Sequence, residues 1–562
     1  MISVPGRWRL ALAAIGLGVL QIPVLLGAAA DPSQSDFGNY FTSAFVLARG
    51  GDLGPLYDRD TFAASMGEAG LSVLGSFIPH PPANALWLLP FAWLSPSEAK
   101  GAWALLLLAC LGATVWLTRR LLPRADGWLA AVIVITPVLA IRNNLAFGQP
   151  YLVLSALLAG GTLALTSGLP FVGGLLLGLG VSFKPYALCL GLLFLHRDRL
   201  RPLVGFTCGA VAPSLLVVAL NGPGGFETFA TRVLPWMVRG DIQDPFSPVW
   251  GSVGALANRL FRFEADLNPE PWIVAPMVAR FIGAAVPAGL IVLGVAWGRR
   301  AMREGRVLDA VGVCLAFALA AAPFAASYHL VLLAVPVAAL VSRLEGWSLA
   351  GWLIFWAALG SPLMNVFREV TGALTPLAYS RFVVLTALAF VVAQPLVSRS
   401  AAGPAVGLGL FAGILAIGLA PRDEAWPRVV EATGYSMMNP HFCGENLRWF
   451  VPSSDGRGLE SRGAGEPCGP GRRVEPAALA VTSRFVDGSW NLYLVDAESS
   501  ANSIQLTSSD ANEIDPVMAP GGCEVVFASD QGRGLGSTAL YRLELSRFIV
   551  GCDTAARASD PR

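Results

Sequence analysis

A polytopic bundle of transmembrane helices, followed by a small β-rich domain outside the membrane, is the fold the sequence predicts. Three observations carry that prediction. Of 562 residues, 54% are hydrophobic and only 14% charged, whereas soluble domains place charge on about a quarter of their residues. Long uncharged apolar runs fill residues 1–420, while many of the acids gather in residues 423–562. That tail also contains "WNLYLVD", "EVVFASD" and "ALYRLEL", whose apolar and polar residues follow the two-residue period of strands.

A crossing helix needs about 20 mostly apolar residues. Such runs lie near 10–30, 99–118, 127–142, 150–167, 202–220, 274–298, 308–324, 328–342, 346–361, 381–397 and 403–420, so about 11–13 spans are expected. Arg7 and Arg9 precede the first run, which is too long for a signal-peptide core and reads as a retained helix entering from the cytoplasm. Residues 76–94 are interrupted by Pro79, Pro81, Pro82 and Pro90 and either span or dip in and return. Residues 169–196 are too long for one crossing and break at Lys184 and Pro185, as two short helices meeting at a polar elbow would. Non-helical backbone at such depth survives only beside protein or a water-filled cavity.

Positive charge orients the chain. The arginines at 119, 120 and 124, at 197, 199 and 201, at 299, 300, 303 and 306, and at 343 all face the cytoplasm if residues 76–94 do not cross and residues 169–196 cross twice. The loops 31–76 and 221–273, the Arg142–Pro150 turn, the Lys184 elbow, the Tyr328 region and the tail then lie outside. A membrane domain over 1–422 and an extracytoplasmic β-rich domain over 423–562 follow.

The eight cysteines divide the same way. Cys110, Cys189, Cys208 and Cys314 sit in apolar segments as buried thiols. Cys443, Cys468, Cys523 and Cys552 fall in the tail. They suffice for two disulfides, with three connectivities open, in an oxidising compartment. A net charge of +1, without a basic tract interleaved with aromatics, excludes a nucleic-acid partner.

Asp36 stands just beyond the first helix, where a carboxylate can meet a lipid-borne substrate. The alternative is an N-cap for a helix over Phe37–Arg49, since Asp is a favoured cap. Lys184 and His329 are ionisable groups beside apolar segments on Asp36's side, and such groups are functional candidates by default. The alternatives are a snorkelling lysine and a histidine satisfied between helices.

The blocks "SDFGNYFTSAFVLARGGDLGPLYD", "FIPHPPANALWLLPFAWLSPSEAKGAW", "RNNLAFGQPYLVLSALLAGG", "GGLLLGLGVSFKPYAL" and "APFAASYHLVLLAVPVAAL" follow one another in the order and style of a known family. Over roughly residues 10–420 the chain resembles the polyprenol-phosphate-mannose-dependent mannosyltransferases, family 87 of the C-type glycosyltransferases. The resemblance implies hexosyl transfer, mannosyl above all, from a polyprenyl-phosphate sugar to a lipid or glycan hydroxyl on the outer face of a bacterial inner membrane. Its first-loop carboxylate falls on Asp36, with Tyr40 closing the "DFGNY" match. Gln149 falls in its Gly-Gln block, Lys184 in its Lys-Pro block, and Tyr328 and His329 in its histidine block. That last block departs from the pattern, because "SYH" supplies one histidine where relatives often carry a pair.

The chemistry requires a base to take the acceptor proton as the hydroxyl attacks the anomeric carbon with inversion, and that base would be Asp36. The charge growing on the phosphate leaving group needs preorganised donors, which Lys184, His329 and Arg142 can supply. The histidines, His80, His196, His329 and His441, show no paired metal spacing, so neither a metal nor another cofactor is expected. In loop 221–273, Trp236 and Trp250 can stack on sugar while Asp241 or Asp244 binds hydroxyls, the alternative being interfacial anchors with solvated acids. A second resemblance, to TolB-type propeller repeats, covers about 477–546. It is too short to close a propeller of about four to eight blades. Two other function classes stay open: a transporter or flippase of lipid-linked sugars, and a membrane anchor for a β-domain scaffold.

Overall fold

The computed structural model describes residues 27, 35–71, 75–122, 127–184, 187–239, 242, 244–264, 267–361, 366–368, 370–397, 405, 408–414, 438–443, 446–452, 459–463, 479–486, 489–496, 503–509, 511–531, 533, 538–546 and 548–549. All of the expected first helix but Gly27, most of the expected last one, and Asp241 lie outside these residues. The chain forms two compact units. The first comprises Met1–Val233, Ser247–Arg262 and Glu270–Gly418, and the second Leu234–Phe246, Phe263–Pro269 and Leu419–Arg562.

The first unit is a helical membrane body. Among the described residues, Pro96–Leu121, Arg197–Asn221 and Pro276–Arg303 are each long and apolar enough to cross a bilayer. Two further pairs, Gly127–Ile135 with Val138–Phe147 and Gly372–Ala378 with Ser380–Leu396, qualify as spans bent by 59° and 63°. Pro137 explains the first bend, since proline removes a helix donor and clashes with the preceding turn. Shorter apolar helices, including Tyr151–Thr166, Val307–Ala320 and Gly346–Leu359, complete the body. In the most apolar windows of the three long helices only 28%, 22% and 17% of residues are buried. Leu105, Trp116, Val204, Leu215 and Met277 stand exposed on them, and exposed apolar faces of that length belong against lipid tails.

Residues 76–94 make only the short turns Pro82–Asn84, Ala85–Leu88 and Leu89–Phe91, so this proline-broken stretch contains no crossing helix. The elbow lies where the sequence places it, with helix Pro170–Phe183 ending at an extended Lys184 (φ −150°, ψ 129°). A residue before proline is pushed out of the helical region. The second arm, however, is shorter than a crossing requires: four helical residues, Leu188–Gly191, run into a three-residue turn, Leu192–Phe194. The thiol expectation is also corrected in part, for Cys189 and Cys314 are buried but Cys110 is half-buried and Cys208 exposed.

Helix Pro170–Phe183 is held by backbone-to-backbone contact with helix Leu200–Asn221. A Cβ added at Gly174 or Gly178 would lie 2.0 or 2.1 Å from the carbonyl oxygens of Pro202 and Phe206. From the other side, a Cβ at Gly205 or Gly209 would lie 2.1 or 2.2 Å from those of Phe171 and Leu175. Each helix thus carries small residues four apart, the spacing that lets membrane helices approach closely. Gly178→Val is therefore expected to separate the pair and release the Lys184 elbow. The check is the yield of monodisperse protein in detergent and its melting temperature, both of which should fall.

The second unit holds three antiparallel three-stranded sheets. The first is β1 (Met438–Cys443), β2 (Asn446–Pro452) and β3 (Leu459–Gly463). The second is β4 (Leu479–Val486), β5 (Ser489–Asp496) and β6 (Ser503–Gln505), and the third is β7 (Glu513–Met518), β8 (Glu524–Ser529) and β9 (Ala539–Glu544). Strand β8 is apolar on both faces because both are covered. Val525 and Phe527 cluster with Leu492 and Leu494 of β5, while Val526 and Ala528 cluster with Leu447 and Trp449 of β2. A fully buried Arg533 pairs with Glu264 Oε1 at 3.2 Å, which ties the Phe263–Pro269 segment into this unit. Cys523 is disulfide-bonded.

Candidate active site

The site begins with helix Ser35–Ala48, which carries Asp36 in its first turn. The capping alternative is not met, because Asp36 lies inside this helix and its carboxylate turns elsewhere. Its Oδ2 accepts a 2.9 Å hydrogen bond from Gln149 Nε2. The other end of that amide is also engaged, because Gln149 Oε1 accepts from the Tyr40 hydroxyl at 2.9 Å. Asp36 and Tyr40 lie four apart and so share a helix face, which lets one glutamine meet both.

A glycine places Gln149 there. Helix Val138–Phe147 ends on Gly148 in the left-handed conformation (φ 67°), which costs glycine no steric strain. A Cβ at this position would also stand 2.7 Å from that of Phe37. The turn is fixed by the Trp103 indole, which donates to the Gly148 carbonyl at 2.8 Å, and by the Gln149 amide donating to the Asn144 carbonyl at 2.9 Å. Phe37 adjoins Asp36, so the close approach at Gly148 delivers the next side chain to the carboxylate.

An aromatic wall follows. Tyr151 opens helix Tyr151–Thr166, and its ring lies 5.2 Å from that of Tyr328 and 4.3 Å from that of His329. Segment Ser327–Leu333 is pinned to the neighbouring helices three times. Asn143 Nδ2 donates to Ser327 Oγ at 2.9 Å, Asn144 Nδ2 to the Tyr328 carbonyl at 3.0 Å, and Ser155 Oγ to the Val331 carbonyl at 2.9 Å. The Lys184 ammonium stands 6.0 Å from the Tyr151 ring centre. Asn84 Nδ2 reaches the adjacent Phe183 carbonyl at 3.4 Å, so the proline-rich block braces the elbow. His80 of that block is buried, its ring 4.5 Å from that of Tyr40.

Electrostatics ties these groups together. Burial raises the Asp36 carboxyl above the ordinary carboxylate range, against the opposing pull of the Gln149 hydrogen bond and the Lys184 charge. Asp36 and Lys184 attract each other without forming an ion pair among the described residues. A carboxylate, a cation, phenols and imidazoles thus converge without neutralising one another in direct contact, an arrangement suited to proton transfer beside an anion. Among the described residues no three His, Cys, Asp or Glu side chains gather as a metal site.

Asp36, Tyr40, Gln149, Lys184, Tyr328 and His329 are brought together. Arg142 is not: it is exposed, and its guanidinium donates to Asn143 Oδ1 at 3.1 Å. Trp250 lies edge-on to Phe324 at 6.3 Å, Trp236 belongs to the second unit, and Asp241 lies outside the described residues. Asp244 holds its own turn, accepting from the Phe246 amide at 2.8 Å. Sequence reasoning passed over Tyr151 and His80 as site residues, although each sits inside a block singled out above, Tyr151 two places after Gln149.

The model of glycosyltransferase family 87 matches residues 77–323. That segment takes in Gln149 and Lys184, begins after Asp36 and ends before His329. Two curated proteins described as polyprenol-phosphate-mannose-dependent alpha-(1-2)-phosphatidylinositol mannoside mannosyltransferase are similar to the chain. The one from Mycobacterium tuberculosis is 30% identical over 330 residues, 52% of this chain and 70% of that protein. The one from Mycolicibacterium smegmatis is 28% identical over 353 residues, 57% of this chain and 76% of that protein. No solved structure matches.

Proposed function

Because the chain belongs to glycosyltransferase family 87, it is a membrane glycosyltransferase, and we propose that it transfers a hexosyl residue, mannosyl above all, from a polyprenyl-phosphate sugar. The acceptor is a hydroxyl of a lipid or glycan at the outer face of the bacterial inner membrane. The observation that carries this reading is the Asp36 carboxylate, held by Gln149 and within the field of Lys184. The names of the mycobacterial relatives support the donor class.

In the proposed mechanism, Asp36 takes the acceptor proton as that oxygen attacks the anomeric carbon from the face opposite the phosphate. The bond from the anomeric carbon to the phosphate oxygen breaks, its electron pair leaves with the phosphate, and configuration inverts. Lys184 faces the growing negative charge. His329 Nδ1 lies 3.1 Å from the Ala326 carbonyl; a carbonyl only accepts, so Nδ1 carries a proton there, and the imidazole is held at the aromatic wall beside Tyr151. Tyr151 and Tyr328 present ring faces to the sugar. We propose no metal or cofactor for this reaction: the groups around Asp36 supply base and cation without one. The disulfide at Cys523 supports an extracytoplasmic, periplasmic second unit, which we propose acts as an accessory module.

Membranes containing the chain are expected to transfer label from polyprenyl-phosphate mannose to endogenous lipid or glycan, and not from a nucleotide-linked mannose. The product linkage should have the anomeric configuration opposite to the donor's. Transfer from the nucleotide sugar alone, or retention of configuration, would overturn this reading.

A further inference from the structure

We propose that Tyr40 and Gln149 form a positioning relay for Asp36, in which Tyr40 sets the orientation of the Gln149 amide and the amide sets the carboxylate. The proposal rests on the reading of Asp36 as the base. It departs from a sugar-binding role for Gln149, because both ends of that side chain are already engaged by protein.

The argument is one of donor and acceptor identity. A primary amide has an accepting end and a donating end, and nothing in its shape alone decides which faces a neighbour. A tyrosine hydroxyl on the Asp36 helix occupies the oxygen of Gln149, at 2.9 Å. The NH₂ group is then the end left for the carboxylate, also at 2.9 Å. Without the phenol the amide could turn its oxygen toward Asp36 and repel the ionised base. Tyr40 and Gln149 are 2% and 4% exposed, so solvent does not take over either role. The Gly148 turn and the Trp103 hydrogen bond hold the backbone beneath Gln149, which leaves the amide dihedral as the freedom the phenol removes.

A hydrogen bond donated to an ionised carboxylate favours that form, and Gln149 acts on Asp36 in this sense. The other groups facing this region are the Lys184 ammonium, the Tyr328 phenol, and the His329 and His80 imidazoles near Lys184. Losing Gln149 removes stabilisation of the base form, so a higher pH is needed to ionise Asp36. The acid limb of the rate profile then moves upward.

The test uses the full chain in membranes, with kcat, KM for a polyprenyl-phosphate sugar and the pH profile measured for Tyr40→Phe, Gln149→Leu and the double variant. Gln149→Leu should lower kcat about tenfold or more, the size of one charge-assisted hydrogen bond, leave KM little changed, and shift the acid limb upward. Tyr40→Phe should lower kcat by a smaller factor. The double variant should match Gln149→Leu, because groups acting in series are non-additive. Gln149→Glu, which keeps an acceptor for Tyr40 but turns an oxygen toward Asp36, should be at least as impaired as Gln149→Leu.

Equal losses from Tyr40→Phe in both backgrounds, a loss confined to KM, or wild-type kcat in Gln149→Glu would each overturn the relay. The base reading is separated by Asp36→Asn. If the relay fails while Asp36→Asn is inactive, the base stands; an active Asp36→Asn removes both.

Discussion

Asp36→Asn is expected to lower kcat by about 10²–10⁴-fold, the contribution of a positioned general base, while the protein still folds. Asparagine matches the carboxylate in size, and its carbonyl oxygen can still accept from Gln149, so the relay and the adjoining Phe37–Gly148 contact persist. What is lost is the capacity to take a proton. Binding of the lipid-phosphate sugar should survive, so the loss should lie in kcat rather than KM. The wild-type rate should fall as pH drops through the pKa of Asp36, which burial raises above the ordinary carboxylate value. The acid limb should therefore lie at higher pH than an exposed aspartate would give, and the residual activity of the variant should lack it. Wild-type turnover by Asp36→Asn would end the assignment.

Lys184→Met should have the next largest effect, about 10²–10³-fold in kcat, the loss seen when one preorganised group stabilising transition-state charge is removed. Methionine preserves much of the length and apolar bulk of the stem, so helix Pro170–Phe183 and its glycine contacts should hold. A second readout separates this role from simple packing. The Lys184 charge favours the ionised form of Asp36, and removing it should raise the carboxyl pKa further and carry the acid limb to higher pH. An unshifted limb with intact kcat would show that the ammonium serves neither the base nor the leaving group.

Much of this site is legible in the sequence because lipid makes polar residues conspicuous. Asp36, Lys184 and His329 stand out as ionisable groups against apolar neighbours. The groups that back them are less legible. Neither Tyr151 nor His80 carries a signal of its own in the sequence; only the fold brings Tyr151 against His329 and His80 against Tyr40. Aspartate's capping preference is a local rule, yet Asp36 lies inside helix Ser35–Ala48 and its carboxylate accepts a hydrogen bond from Gln149, 113 positions away. Arg142 misleads for a related reason. Charge alone recommends it to a phosphate, but its helix leaves it exposed while the adjacent Asn143 and Asn144 fasten the Tyr328 segment.

The second unit borrows its substance from three separated stretches of chain, two of them from the loop preceding helix Pro276–Arg303. Deleting everything beyond residue 418 would therefore not be a clean amputation. Glu264 would lose Arg533, its ion-pair partner, and the remnants Leu234–Phe246 and Phe263–Pro269 would be stranded without the strands that complete their fold. Loss of transfer in such a truncation would by itself say little about what the β-rich portion does. Substitution at the Arg533–Glu264 pair probes that portion with the polypeptide left whole.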